Sequence, residues 1–254
     1  MAHVAVVLWH IEVSHYNEKV RWALDYKGIP YELRAPLPGA HRLAALRLSR
    51  GKHERLPVIE IDGERTWDST AIIAALEAYR PDPPLYPADP AQRERALELE
   101  DYFDEELAPR IRRLVWHYTL ANDDATVDAV MPQGGSLKRG LMRATAPMGR
   151  FMVRRDYGVD QASADEALGV IRAAMDRVES ELGGGDYLVG DSFSVADLTG
   201  AALFTPLLAP DGRPWAPKTL VPELQGIREE LEARPGGAWV HRMYELHRGV
   251  PVAA

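Results

Sequence analysis

Leu56-Pro57-Val58-Ile59-Glu60-Ile61-Asp62-Gly63, with Trp67-Asp68-Ser69-Thr70-Ala71-Ile72 close behind, is the stretch that decides how this chain is read. A proline opens a short apolar strand. Proline lacks the N–H that a central ladder needs, so it belongs at a strand's first residue. A cis bond before it would turn the neighbouring backbone toward a ligand. Asp62-Gly63 is a tight-turn pair, so the strand reverses into a second one. That second strand runs directly into a helix opening with Asp and Ser, whose free N–H groups suit an anion. Together these features predict a site that grips a peptide-like, anionic small molecule.

Working outward, Val4 to Trp9 is a continuous apolar run, the sign of a buried strand. Asn17 to Tyr26 reads as a helix stopped by Gly28. Ile29 to Arg34 alternates as a strand, and His41 to Leu48 is a short helix. Pro57 to Ile61 and Arg65 to Trp67 form the hairpin, and Ser69 to Tyr79 is a helix ending before Pro81. The order β-α-β-α-β-β-α predicts a small α/β domain with parallel strands closed by an antiparallel hairpin.

Pro81-Asp82-Pro83-Pro84-Leu85-Tyr86-Pro87 is a proline-rich break. Beyond it the period is helical: Pro90 to Ala108, Ile111 to Leu120 after Pro109, Lys138 to Arg155, Ala162 to Leu182, Val195 to Leu208, Pro222 to Ala233 and Ala238 to Arg248. Asn122 to Gly135 reads as a loop. Gly183-Gly184-Gly185 follows a helix and lacks a phosphate-loop pattern, so it reads as a helix stop. Ser194-Val195-Ala196-Asp197 is a capping box, with Phe193 and Leu198 at the staple positions. Asp197 is read there as structural.

The chain has 254 residues, no cysteine and a formal net charge of −8. The missing thiols exclude cysteine catalysis, CxxC redox work and thiolate metal sites. The acidic balance argues against nucleic acid as a partner. No apolar run approaches the roughly 20 residues that span a bilayer, so no membrane contact is expected. The N-terminus lacks a basic leader region, which predicts a cytoplasmic protein. The histidines show no HxH or HxxxH spacing with a carboxylate, so no metal is expected.

With these residues in place the chain resembles the cytosolic glutathione transferases, of the serine type. The resemblance rests on Leu56-Pro57-Val58, Asp68-Ser69-Thr70-Ala71-Ile72 and Phe193-Ser194-Val195-Ala196-Asp197, in that order. It implies a thioredoxin-like glutathione-binding domain over 1–82, a linker over 83–91 and an all-α electrophile-binding domain over 92–254. It also implies a homodimer whose partners are glutathione, used as a co-substrate, and a small electrophile. Pro57 looks like the family's cis-proline, and the Leu56 backbone would pair with the cysteinyl part of glutathione. Asp68 and Ser69 look like the pair that holds the γ-glutamyl group. Lys52 or His53 stands where the family places a side chain for the glycyl carboxylate.

The catalytic position of this family lies between the first strand and first helix. Here that segment is Glu12-Val13-Ser14-His15-Tyr16-Asn17, with Ser14 and Asn17 at the two cysteine positions of the thioredoxin-like superfamily. A free thiol titrates near about 8.5, and a hydroxyl hydrogen bond to sulfur stabilises its thiolate. Ser14 thus resembles the group that activates the cofactor's sulfur, although locally it reads as an N-cap. Tyr16 is the rival donor, and its own reading is packing. His15 either lines the pocket or is a solvated first-turn residue; its local reading is the latter. Trp9 reads as core, and His10 stays open.

Asp101, Asp104, Glu105 and Glu106 read as a solvated or dimer-facing acidic face, answered by Arg110, Arg112 and Arg113 as ion pairs. Tyr102 and Trp116 are the candidates for an electrophile pocket, with core packing as the alternative. The expected activity is conjugation of glutathione to an electrophile. A glutathione-dependent isomerase and a non-catalytic binding module are the alternatives.

Overall fold

The computed structural model describes residues 6–37, 39–130, 135–211 and 221–249. Its first domain is a four-stranded mixed sheet: β1 Val6–Trp9, β2 Glu32–Arg34, β3 Val58–Ile61 and β4 Glu64–Trp67, in the spatial order β2-β1-β3-β4. Three helices accompany it: α1 His15–Tyr26, α2 His41–Leu48 and α3 Ser69–Tyr79. β1 pairs parallel with β2 and antiparallel with β3, and β3 pairs antiparallel with β4. This is the expected thioredoxin-like arrangement. Val4 and Ala5 of the expected first strand lie outside the described residues. β2 is shorter than the Ile29–Arg34 expected, because Pro30 has no N–H to give a ladder.

The second domain is helical: α4 Pro90–Tyr102, α5 Ala108–Thr119, α6 Asp123–Val130, α7 Ser136–Tyr157, α8 Gln161–Leu182, α9 Val195–Leu208, α10 Pro222–Glu232 and α11 Pro235–His247. α9 is buried along its whole length and packs against α1, α4, α5 and α11, so it is the axle of the core. Its capping box is present: Asp197 Oδ2 accepts from the Ser194 N–H and hydroxyl at 2.9 Å each, and Oδ1 accepts from the Leu188 N–H at 2.7 Å. Burial pushes the Asp197 carboxyl up to about 6.

One expectation for this domain is corrected. The Asn122–Gly135 segment is not all loop: α6 forms within it, capped by Asn122 Oδ1 accepting from the Ala125 N–H at 2.9 Å. Its acidic start, Asp123-Asp124, suits the positive end of a helix dipole. Residues 131–134 lie outside the described residues. The continuation of the Pro90 helix past Pro109 is as expected; the π turn within it is not. Pro90 to Thr119 is one helical rod, with a wide π turn at Phe103–Leu107. Pro109, one residue into α5, has no N–H for the carbonyls of Asp104 and Glu105. The Tyr16 hydroxyl donates to the Asp104 carbonyl at 2.7 Å and Arg110 Nη1 donates to that of Glu105 at 2.9 Å.

Candidate functional site

Three chain segments meet at one end of the sheet. The β1–β3 register sets Trp9 beside Val58, and the β3–β4 register sets Val58 beside Trp67. The turn leading to Ser14, the bond before Pro57 and the start of α3 at Asp68 are therefore neighbours.

Ser14 is the N-cap of α1 in extended backbone, at φ −74° and ψ 126°. Its hydroxyl oxygen accepts from the Asn17 N–H at a long 3.5 Å. Among the described residues its own O–H proton has no acceptor, so it can be given to a ligand at the positive end of the helix. Asn17 is fully buried; its side chain accepts from the Ile11 N–H at 3.3 Å and donates to the Leu56 carbonyl at 3.4 Å. The Leu56–Pro57 bond is cis, as is Asp82–Pro83.

Asp68 sits at φ 75° and ψ 131°, a region costly for a residue with a side chain and typical of ligand clamps. Its carboxylate accepts from the N–H groups of Thr70 at 3.1 Å and Ala71 at 3.2 Å. Among the described residues the N–H of Ser69 remains unclaimed in that first turn, and Ser69 is buried. Lys52 is exposed and leans toward Trp67, with Nζ 5.8 Å from the ring, in a shallow cleft of about 480 Å³. His53 is half-buried, and the Ser49 hydroxyl brackets its backbone by donating to its carbonyl and accepting from its N–H.

Several side chains stand elsewhere than expected. His15 is buried, not solvated, with its ring 4.8 Å from that of Tyr16. The Tyr16 hydroxyl spends its proton on the Asp104 carbonyl, and burial raises its pKa above the ordinary value. Asp104 is no part of a solvated face: Lys19 lies between it, at 2.6 Å, and Glu100, at 2.7 Å. Thr70 joins the same cluster, donating to Asp104 Oδ2 at 2.7 Å. Among the described residues, Arg110 alone of the three arginines pairs with an acid, Glu106, at 3.1 Å. Arg113 donates to the Tyr157 carbonyl at 3.2 Å. Arg112 packs over the rings of Tyr157 and Tyr16, with its carbon 4.4 and 6.0 Å from their centroids.

Trp9 is half-buried, packed against the small core cluster of Ala45, Leu56 and Val58, with the guanidiniums of Arg34 and Arg65 each 5.4 Å from its ring. His10 is buried, with Nδ1 3.0 Å from Arg21, and burial lowers its pKa to about 3. Tyr102 packs toward α8, where Arg177 lies 5.6 Å from its ring, and no contact joins it to Ser14 among the described residues. Trp116 is half-buried one helical turn beyond Arg112, on the same side of α5.

The sequence reading overlooked Asn17 as a tie, Lys19 and Thr70 as a bridge to the helical domain, and Arg55 and Arg112. The available signal was Lys19-Val20-Arg21: charges within an apolar helix stretch are costly to bury unless partners wait for them. Among the described residues no group of three or more His, Asp or Glu could hold a metal ion, and no helix is long and apolar enough to cross a membrane.

Comparison with known proteins gives this geometry a context. Two curated relatives align with part of the chain. A maleylacetoacetate isomerase of Rhizobium meliloti is 38% identical over 98 residues, 37% of this chain and 44% of that protein. A maleylpyruvate isomerase of a Ralstonia species is 30% identical over 125 residues, 48% of this chain and 58% of that protein. The chain thus spans about half the length of the curated relatives it matches. Among solved structures, a β-etherase from Sphingobium superposes with a TM-score of 0.62 at 20% identity, covering 94% of this chain and 99% of that one. A theta class glutathione S-transferase from Xanthomonas axonopodis, solved with glutathione bound, superposes at 0.59 and 20% identity, covering 92% and 96%. These likenesses show a common fold. Residues 8–84 match the family model for the glutathione S-transferase N-terminal domain and residues 141–235 that for its C-terminal domain, and the chain belongs to the cytosolic glutathione transferase superfamily.

Proposed function

We propose that this protein is a glutathione-dependent enzyme in which the Ser14 hydroxyl stabilises the thiolate of bound glutathione for attack on an electrophilic small molecule. The observation that carries the reading is the meeting of Ser14, Leu56 and Ser69 at one end of the sheet. Leu56 offers backbone to the cysteinyl unit as an added strand would. The Ser69 N–H and hydroxyl take the γ-glutamyl carboxylate, positioned by the Asp68 cap. Lys52 or His53 reaches the glycyl end. Ser14 is the donor and Tyr16 is not, because the Tyr16 proton is committed to Asp104. The thiolate at the start of α1 also gains about 0.3–1 kcal/mol from the helix dipole.

Two further features go with this reading: a cytoplasmic location and a homodimer. The second reaction class is cis–trans isomerisation, in which glutathione adds to a double bond and leaves again. The alignments with two proteins named as isomerases of maleyl compounds favour it.

Calorimetric titration with glutathione tests the first step, and turnover of 1-chloro-2,4-dinitrobenzene the second. Saturable binding with turnover that collapses in Ser14→Ala supports the proposal. Binding with no turnover makes the protein a non-catalytic module. No glutathione binding contradicts the proposal outright. Isomerisation of a maleyl substrate without net consumption of glutathione would select the isomerase.

A further inference from the structure

Arg112 is a guanidinium placed where a charge is costly. Its Nε is buried and, among the described residues, bonds to nothing. Nor does a carboxylate lie within ion-pair distance of it or of Arg55 among those residues. Burying that nitrogen without a partner is expensive, and stacking on an aromatic face recovers only part of the cost. Arg55 approaches the same Tyr157 ring, with its carbon 5.9 Å from the centroid, so two like charges share one aromatic plate. Burial and the nearby Arg55 and Arg113 all act to lower the Arg112 pKa.

Three of the acids around this cluster are already engaged. Asp104 is held by Lys19 and Thr70, Glu100 by Lys19, and Glu106 by Arg110. Asp156 and Glu105 are exposed, and neither is within ion-pair distance of Arg112 or Arg55 among the described residues. The placement is equally specific. Arg55 precedes Leu56, and Tyr16, under Arg112, lies two residues beyond Ser14.

We propose that Arg112 and Arg55 form an anion subsite beside the thiol, taking a carboxylate of the second substrate, so that the enzyme selects carboxylate-bearing electrophiles. The planar guanidinium fork matches a carboxylate and holds it with charge-assisted hydrogen bonds. A carboxylate here supplies the charge that the fold leaves unanswered, while Tyr157 and Tyr16 offer flat apolar surface to the rest of the molecule. The selection rests on the glutathione reading above; the anion subsite itself does not.

Two electrophiles of one reaction type separate the possibilities: neutral 1-chloro-2,4-dinitrobenzene and its anionic relative 4-chloro-3,5-dinitrobenzoate. In Arg112→Gln the ratio of kcat/KM for the benzoate over the neutral compound falls about tenfold or more, through KM of the benzoate. Arg55→Gln, which leaves the Arg112 stack in place, lowers the ratio in the same direction. Arg112→Lys keeps the charge without the fork and retains part of the ratio. An unchanged ratio in Arg55→Gln and Arg112→Lys overturns the subsite, whether or not Arg112→Gln folds. A calorimetric titration with maleate, without glutathione, separates this inference from the function it deepens. Maleate binding that weakens in Arg55→Gln sustains the subsite even in a protein that ignores glutathione. A protein that binds glutathione and not maleate keeps its proposed function and loses the subsite.

Discussion

Asn17 ties the turn that carries Ser14 to the strand edge at Leu56, its side-chain amide donating to the Leu56 carbonyl at 3.4 Å. The same side chain accepts from the Ile11 N–H at 3.3 Å. One buried amide therefore sets the distance between the Ser14 turn and the Leu56 backbone, the two groups proposed to meet the sulfur and the cysteinyl unit of glutathione.

Asn17→Ala leaves the buried Leu56 carbonyl and the part-buried Ile11 N–H without this partner. A loss of about 1–3 kcal/mol of stability is expected, read by urea denaturation. The KM for glutathione rises as well, because both walls of the site loosen. Asn17→Asp is worse than Asn17→Ala, since it sets an acceptor against the Leu56 carbonyl. Stability and KM in Asn17→Ala equal to those of the wild type would show that the tie is idle.

Arg248 fastens the C-terminal end to α1. It pairs with Glu18 at 2.7 Å and with Asp25 at 2.5 Å, all of them buried. Removing one member of a buried charge network strands the others, at a cost of about 3–5 kcal/mol. Arg248→Met is expected to lower the melting temperature by on the order of 10 °C. Adding Asp25→Asn to that variant restores part of the loss by removing a stranded charge. A double variant less stable than Arg248→Met would contradict this account.

His10 makes stability depend on pH. Its folded pKa, lowered to about 3 by burial and then by the Arg21 charge, lies below the ordinary 6.5. The unfolded chain therefore binds the proton first. The contribution of neutral His10 is fully present above the ordinary value and is lost as pH falls toward the folded one. Between pH 7 and pH 5 this amounts to about 2 kcal/mol. Urea midpoints of the wild type and of His10→Gln at the two pH values check it; the drop should be smaller in the variant by that amount.

Much of this was legible before the structure. Pro57, Asp62-Gly63 and Asp68-Ser69 punctuate the backbone, and local chemistry of that kind survives in any context. The hairpin and the start of α3 accordingly fall where the residues place them. The Ser194–Asp197 box is legible for the same reason. What escaped depends on which distant segments meet. Arg112 carries no local sign that Tyr16 and Tyr157 will face it, so the nearby acids looked like its natural partners. Asp104 looked solvated because only folding brings Lys19 against it. The π turn escaped because its cause is shared between Pro109 and a tyrosine far earlier in the chain.

Ser14 carries the central claim, and the ionisation of bound glutathione reads it directly. The thiolate absorbs in the short-wavelength ultraviolet where the thiol does not, so its difference titration on the protein gives the pKa of the bound sulfur. With wild-type protein that pKa is expected at least about one unit below the free value near 8.5, equivalent to about 1.4 kcal/mol. In Ser14→Ala it returns toward the free value while glutathione still binds. An equal pKa on both proteins would contradict the account and take the chemistry away from Ser14.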